Sequence, residues 1–162
     1  MTTRTYAPWV EPIAARFQES RAQVIDFARS APRQIWDRPS PLDGWTYKDI
    51  LAHLAGGNDQ MVQKVLRAVV AREPVDPSVL ALDTDAENAR GVAERRGRSV
   101  DDLAANLEAD GEETRDLLSR LGEDDKELRQ ANIPMSLGEF LHLVHAENHD
   151  LVHLEQLCTA LT

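Results

Sequence analysis

Residues 136–157 read Ser-Leu-Gly-Glu-Phe-Leu-His-Leu-Val-His-Ala-Glu-Asn-His-Asp-Leu-Val-His-Leu-Glu-Gln-Leu. Apolar side chains at Leu137, Leu141, Val144, Leu151, Val152 and Leu157 follow the spacing of an amphipathic helix. Ser136, followed three residues later by Glu139, is a capping box. Its hydroxyl takes the N3 amide while the carboxylate returns to the N-cap amide. The pattern predicts a helix from Ser136 to the C-terminal residues. This stretch also holds four of the chain's five histidines, His142, His145, His149 and His153, within twelve residues. At about 100° per residue they span roughly 80° of arc, one stripe beside the apolar face.

The remaining segments have the same helical period. Val10, Ile13, Ala14, Phe17, Val24, Phe27 and Ala28 predict a first helix over about Trp9 to Arg29, with Pro8 and Pro12 near its start, where proline is tolerated. Pro32, Pro39, Pro41 and Gly44 mark a structured loop, with one turn at Ile35. Thr46 and Asp49 cap a second helix whose stripe (Leu51, Leu54, Ala55, Met61, Val62, Val65, Leu66, Val69) runs to Arg72. Pro74 and Pro77 then open a long connection, within which Ala86 to Arg95 predicts a short exposed helix. Ser99 and Asp102 cap a third helix that Gly122 ends. No internal repeat is visible in the sequence. Four long amphipathic helices make an all-α four-helix bundle, one domain over residues 1–162. The connection between the second and third helices is on the order of 25 residues, far above the usual roughly 2–8. It can cross the full height of the bundle, which predicts up-down-down-up order.

Composition narrows the function classes. The formal charge is -10, from 28 acids against 18 bases. Neither nucleic acid nor an anionic membrane surface is an expected partner of so acidic a chain. No apolar run is long enough for a transmembrane helix. Met1 to Pro8 lack a signal-peptide pattern, and the lone Cys158 fits a reducing compartment, so the expectation is a cytoplasmic protein.

His149 and His153 stand four apart, so both imidazoles can converge on one ion; His145 and His149 share that spacing. A third ligand has to come from another helix, and the remaining histidine is His53. In up-down-down-up order the second and fourth helices are antiparallel, and His53, roughly 10 Å inside its helix, is level with His149 and His153. In up-down-up-down order it would be level with His142 and His145. The long connection selects His53, His149 and His153. Three neutral imidazoles suit a divalent transition metal, zinc or nickel foremost, and leave a coordination position open for water or a thiol. Gly56 and Gly57 would leave room for a ligand above the ion. Asp49, Asn58 and Asp59 are the candidate catalytic or orienting residues, with Glu155 a further possible partner of the ligands. Trp36, Trp45 and Tyr47 are read as packing residues, and His142 and His145 receive no role.

Gly44-Trp45-Thr46, then His53-Leu54-Ala55 and Asn58-Asp59, resemble the start of the second helix in the DinB/YfiT-like superfamily and in the N-terminal domain of mycothiol-dependent maleylpyruvate isomerases. The run from His149 to Leu157 is similar to the closing motif His-x-x-x-His-Leu-x-Gln-Ile/Leu. The resemblance implies an up-down-down-up four-helix bundle with a three-ligand metal site at His53, His149 and His153. The isomerase branch has a glutamate where this chain has His149, which places the chain nearer the all-histidine branch. The expected function is that of a metal-dependent enzyme of small-molecule stress or detoxification chemistry, a hydrolase or thiol S-transferase. Its partners would be a small-molecule substrate, a low-molecular-weight thiol among them, and a second copy of the chain in a homodimer. The alternative is a bundle that sequesters a metal or ligand without turnover.

Overall fold

The computed structural model describes residues 4–56, 58–79, 84–130, 133–143 and 149–161; the side chains of residues 58–60 and 84 are also outside that description. Among the described residues seven α-helices follow in order: α1 (Glu11–Ser30), α2 (Tyr47–Leu54), α3 (Asn58–Ala71), α4 (Thr84–Arg95), α5 (Val100–Ser119), α6 (Leu137–Leu141) and α7 (His149–Cys158). No strand occurs among the described residues. The all-helical class read from the 3.6-residue period therefore stands.

Helix starts agree with the sequence because capping is local. Thr46, Ser99 and Ser136 each accept the amide three residues on, and Asp49, Asp102 and Glu139 each return a carboxylate to the cap amide. Pro12 sits in the first turn of α1, and a 3-10 turn at Arg33–Ile35 occupies the loop that follows.

The second predicted helix is two. α2 ends at Leu54, and Gly56 has φ +157°, a conformation closed to L side chains at low cost. The apolar stripe continues in α3, so periodicity alone does not register the break. The long connection holds a 3-10 turn at Pro77–Val79 and α4. α4 is not an exposed helix as the sequence suggested: Val92 and Arg95 are buried, and α4 packs on α2. A wide π-type turn occupies His142 and Leu143.

The structure also contains a repeat that the sequence hides. After α1 come the turn at Arg33–Ile35, a bridge from Pro39 to Thr46, and the Thr46 capping box. After α5 come the turn at Glu123–Asp125, a bridge from Arg129 to Ser136, and the Ser136 capping box. Pro39 and Arg129, like Thr46 and Ser136, stand 90 positions apart. Few side chains are shared between the halves; the backbone pattern is.

Two apolar clusters form the core. One gathers Val24, Phe27, Trp36, Ile50, Leu51, Leu103, Leu107 and Leu157; the other gathers Val10, Ile13, Val62, Leu66, Leu118, Phe140 and Leu141. Each fully buried leucine contributes about 1.5–3 kcal/mol. Buried polar groups also hold the long helices together. Arg21 pairs with Asp150, through Nε to Oδ2 at 2.7 Å and Nη2 to Oδ1 at 3.2 Å, and joins α1 to α7. Gln63 donates to the Asp110 carbonyl at 3.1 Å and to Thr114 Oγ1 at 3.3 Å, joining α3 to α5.

Candidate metal centre

α2 and α7 pack against each other and bring three histidines to one point. His149 Nε2 lies 3.2 Å from His53 Nε2 and 3.2 Å from His153 Nε2. One ring nitrogen from each residue can be chosen so that all three lie within 4.8 Å of one another. A tetrahedral zinc ion with Zn–N bonds of about 2.0–2.1 Å requires N···N edges of roughly 3.3 Å, so the two short edges suit an ion between them.

Proton placement leads the same way. His153 Nδ1 stands 2.7 Å from Gln156 Oε1. An amide oxygen only accepts, so Nδ1 carries the proton and Nε2 of the neutral ring is a bare lone pair. His149 Nε2 then faces two neighbours with at most one proton to share between them. It either donates to His153 or accepts from His53, so one nitrogen–nitrogen contact is left without a hydrogen bond, an arrangement that a cation relieves.

Burial keeps the rings neutral. His53 is 5% exposed and its pKa falls to about 4, first from burial, then from the nearby charges of His153 and Arg95. His149 falls to about 3, first from burial, then from His153 and His53. His153 is also lowered, mainly by burial, against the opposing hydrogen bond to Gln156. Neutral imidazole is the form that binds metal.

Other sequence candidates fall differently. Asp49 belongs to the capping box and receives Arg96 Nε at 3.0 Å and Nη2 at 3.2 Å. Burial alone would raise its pKa, but the Arg96 and Thr46 hydrogen bonds outweigh it and hold the carboxyl below its ordinary value. Its oxygens are committed to fastening α2 to Arg96, just past the end of α4. Asn58 and Asp59 begin α3, just after the Gly56 break; their side chains lie outside the described residues. His145 and Gly57 lie outside them too. Glu155 is exposed, and Gln156 makes the contact to His153 instead. His142 lines a separate surface cleft with Trp9, Ile13, Arg16 and Lys126.

The space at Gly56 is not open for a ligand as the sequence suggested. A Cβ there would collide with the Arg95 guanidinium, which fills it. Three neighbours of the site were missed as such. Gln156 was signalled by its i,i+3 spacing from His153. Trp45, whose ring lies 5.4 Å from that of His53, was read only as packing. Arg95 comes from a helix read as exposed and had no signal.

Residues 17–153 match the family model described as the mycothiol maleylpyruvate isomerase N-terminal domain. A solved structure, the crystal structure of the mycothiol-dependent maleylpyruvate isomerase, is similar at a TM-score of 0.66 and 18% identity. The match covers 91% of this chain and 60% of that one, a likeness of fold. No curated protein matches.

Proposed function

Because the chain belongs to the mycothiol maleylpyruvate isomerase N-terminal domain family, within the DinB/YfiT-like superfamily, we propose that it is a metal-dependent enzyme of small-molecule stress or detoxification chemistry. His53, His149 and His153 hold one divalent transition ion, zinc or nickel. The reaction is transfer of a low-molecular-weight thiol, with hydrolysis the second type. The observation that carries the reading is the convergence of three ring nitrogens that cannot all be satisfied by hydrogen bonds to one another. The thiol named in the family's description supports transfer over hydrolysis.

When bound, such an ion supplies an open position at which a thiol or water loses its proton near neutral pH. The chain's own residues do the rest. Gln156 fixes the His153 tautomer through Nδ1, so that Nε2 faces the cluster. Trp45 lies against the His53 ring and shields that side from water. Arg21 holds Asp150, and with it the first turn of α7, against α1. Asn58 and Asp59 remain the candidates for orienting substrate, since α3 begins within two turns of His53. Asp49 is assigned to capping.

The proposal takes residues 1–162 as one bundle domain in up-down-down-up order. The meeting of His53 with His149 and His153, and not with His142, supports that order. A homodimer is retained as part of the reading and is tested by sedimentation.

Elemental analysis of untagged protein is expected to give roughly one zinc or nickel ion per chain. The double variant His149→Ala/His153→Ala is expected to lose it, and equal metal content in that variant overturns the site. A screen of thiols with electrophiles, and of esters and amides, is expected to yield metal-dependent product. Binding with no product points to the sequestering alternative.

A further inference from the structure

We propose that the cleft between the start of α1 and the start of α6 is a second binding site, for a small molecule with a planar aromatic body and one anionic group. The inference goes beyond the metal reading and does not depend on it.

The cleft has a volume of about 500 Å³, a size usual for small-molecule sites. Trp9, Pro12 and Ile13 form an apolar wall, and Arg16, Lys126 and His142 stand around it. Pro12 and Arg21 lie nine residues apart in α1, and Arg21 meets Asp150, next to His149. At 1.5 Å per residue the cleft is on the order of 13 Å from the histidine cluster along that helix. His142, which the metal centre leaves out, belongs to this separate site.

The internal repeat shows how the opening is made. The Lys48 amide donates to the Trp36 carbonyl at 2.9 Å, and the Gly138 amide donates to the Lys126 carbonyl at 2.9 Å, the same bond 90 positions on. In the first half Trp36 is 4% exposed and meets the Phe27 ring edge-on. In the second half an exposed lysine stands in the place of that tryptophan, and a glycine in the place of Lys48. The space beside Trp36 and Lys48 is about 270 Å³, roughly half of that beside Lys126 and Gly138. A Cβ on Gly138 would stand 2.9 Å from Lys126 Cγ and 3.2 Å from the Lys126 carbonyl oxygen. The glycine therefore lets the lysine stem lie across the first turn of α6.

Trp9 and the charges around it name the ligand. The indole Nε1 donates to the Gly122 carbonyl at 3.0 Å, which holds the ring by its edge and leaves a π face for stacking. Arg16 comes from α1 and Lys126 from the turn after α5, so two elements bring cations together in a chain of net charge -10. Of the acids in the lining, Glu139 accepts the Ser136 amide at 2.7 Å and faces Arg129 at 3.9 Å, so its charge is met within the chain. Glu127 is left against Arg16 and Lys126. The surplus is one positive charge before any contribution from His142. An aromatic body on Trp9 with a single anionic group near Arg16 and Lys126 answers both features.

The test titrates chelator-treated protein with naphthalene-2-sulfonate and with its neutral sulfonamide, and reads binding from amide and indole N–H shifts. The sulfonate is expected to saturate with a dissociation constant of about 1 mM or tighter, with shifts centred on the Trp9 indole and the Ile13 and Gly138 amides. It is expected to bind about fivefold or more tightly than the sulfonamide. Arg16→Gln/Lys126→Gln is expected to erase that preference, and Trp9→Ala to weaken both ligands about fivefold. Lys126→Trp, which copies the first half of the repeat, is expected to close the cleft and abolish binding of both. No saturation, equal affinities for the two ligands, or shifts centred on α2 and α7 overturn the site. So do a preference unchanged in Arg16→Gln/Lys126→Gln, an affinity unchanged in Trp9→Ala, and a folded Lys126→Trp that binds as wild type does. Should Lys126→Trp not fold, Arg16→Gln/Lys126→Gln decides, since both of its side chains are exposed. Metal content and turnover do not enter these measurements, so failure here leaves the metal reading standing.

Discussion

Acidification of the metal-free chain from pH 8 to pH 5 is expected to remove a large part of its stability through two histidines. In the fold, His53 has a pKa of about 4 and His149 of about 3, against an ordinary 6.5. Burial is the largest cause for both; Arg95 on α4, Arg21 on α1 and His153 on α7 add repulsion at one or the other, and Asp150 opposes it at His149. A folded pKa below the unfolded one means that the unfolded chain binds protons first as the pH falls. The stabilisation is therefore fully present above pH 6.5 and is lost from there down towards pH 4 and 3. At pH 5 an unfolded histidine is almost fully protonated while the buried ones remain neutral, a difference of about 2 kcal/mol for each. Because the rings share part of their repulsion, the pair loses roughly 3–4 kcal/mol, a sizeable share of a domain's usual 5–15 kcal/mol. Urea unfolding of chelator-treated protein reads this as a fall in midpoint on the order of 2 M. His149→Gln removes one titrating ring and is expected to about halve the fall. Added zinc is expected to stabilise the folded chain and to weaken the pH dependence while it stays bound. A midpoint that is flat between pH 8 and pH 5, or an equal fall in His149→Gln, refutes the reasoning.

Gly56→Ala forces an unfavourable φ and drives a methyl group into Arg95; the expected loss is ~2–3 kcal/mol, about 5–10 °C in thermal midpoint, and an unchanged midpoint would show that the break tolerates a side chain. Gln156→Leu frees the His153 tautomer and is expected to weaken metal binding about 10–100-fold in a competitive chelator titration, with the fold intact by circular dichroism. Asp150→Ala removes the buried carboxylate that meets Arg21 at two points and is expected to cost roughly 3–5 kcal/mol, whereas the double variant Arg21→Met/Asp150→Leu costs far less. Equal losses in the single and double variants would place the cost in packing.

What could be read from the sequence was local, or rested on helical height. Each capping box is closed within four residues, so Thr46, Ser99 and Ser136 announce their helices without any tertiary partner. His53, His149 and His153 could be brought together on paper because a helix turns periodicity into height, and one topological choice set the level. The break at Gly56 could not be read, because the stripe from Leu51 to Val69 stays apolar across it. What packs against it is a guanidinium from α4, some forty positions away. Arg95 and Trp45 were hidden as site neighbours for the same reason: nothing in their own segments shows what they touch. The repeat was hidden because it lies in turns and caps, where Thr46 with Asp49 and Ser136 with Glu139 meet one requirement with different residues.

The Arg21–Asp150 pair bears on why the cluster converges at all. A buried ion pair is weak support for stability, since apolar residues of like volume do as well or better. What an apolar pair lacks is direction. The guanidinium fork meets the carboxylate at two points and fixes how α7 is turned about its own axis. Asp150 faces α1, while its neighbour His149, about 100° around the helix, faces α2, and His153 follows four residues on. A rotation of α7 by even a third of that angle would carry His149 and His153 off the point where His53 waits. The pair thus acts on the site through geometry. The electrostatic influence of Asp150 on His149 is opposed by that of Arg21, so the ring's neutrality is left first to burial and then to His153 and His53. Direction from an ion pair and neutrality from burial are separate requirements, and at α7 they are met by adjacent residues.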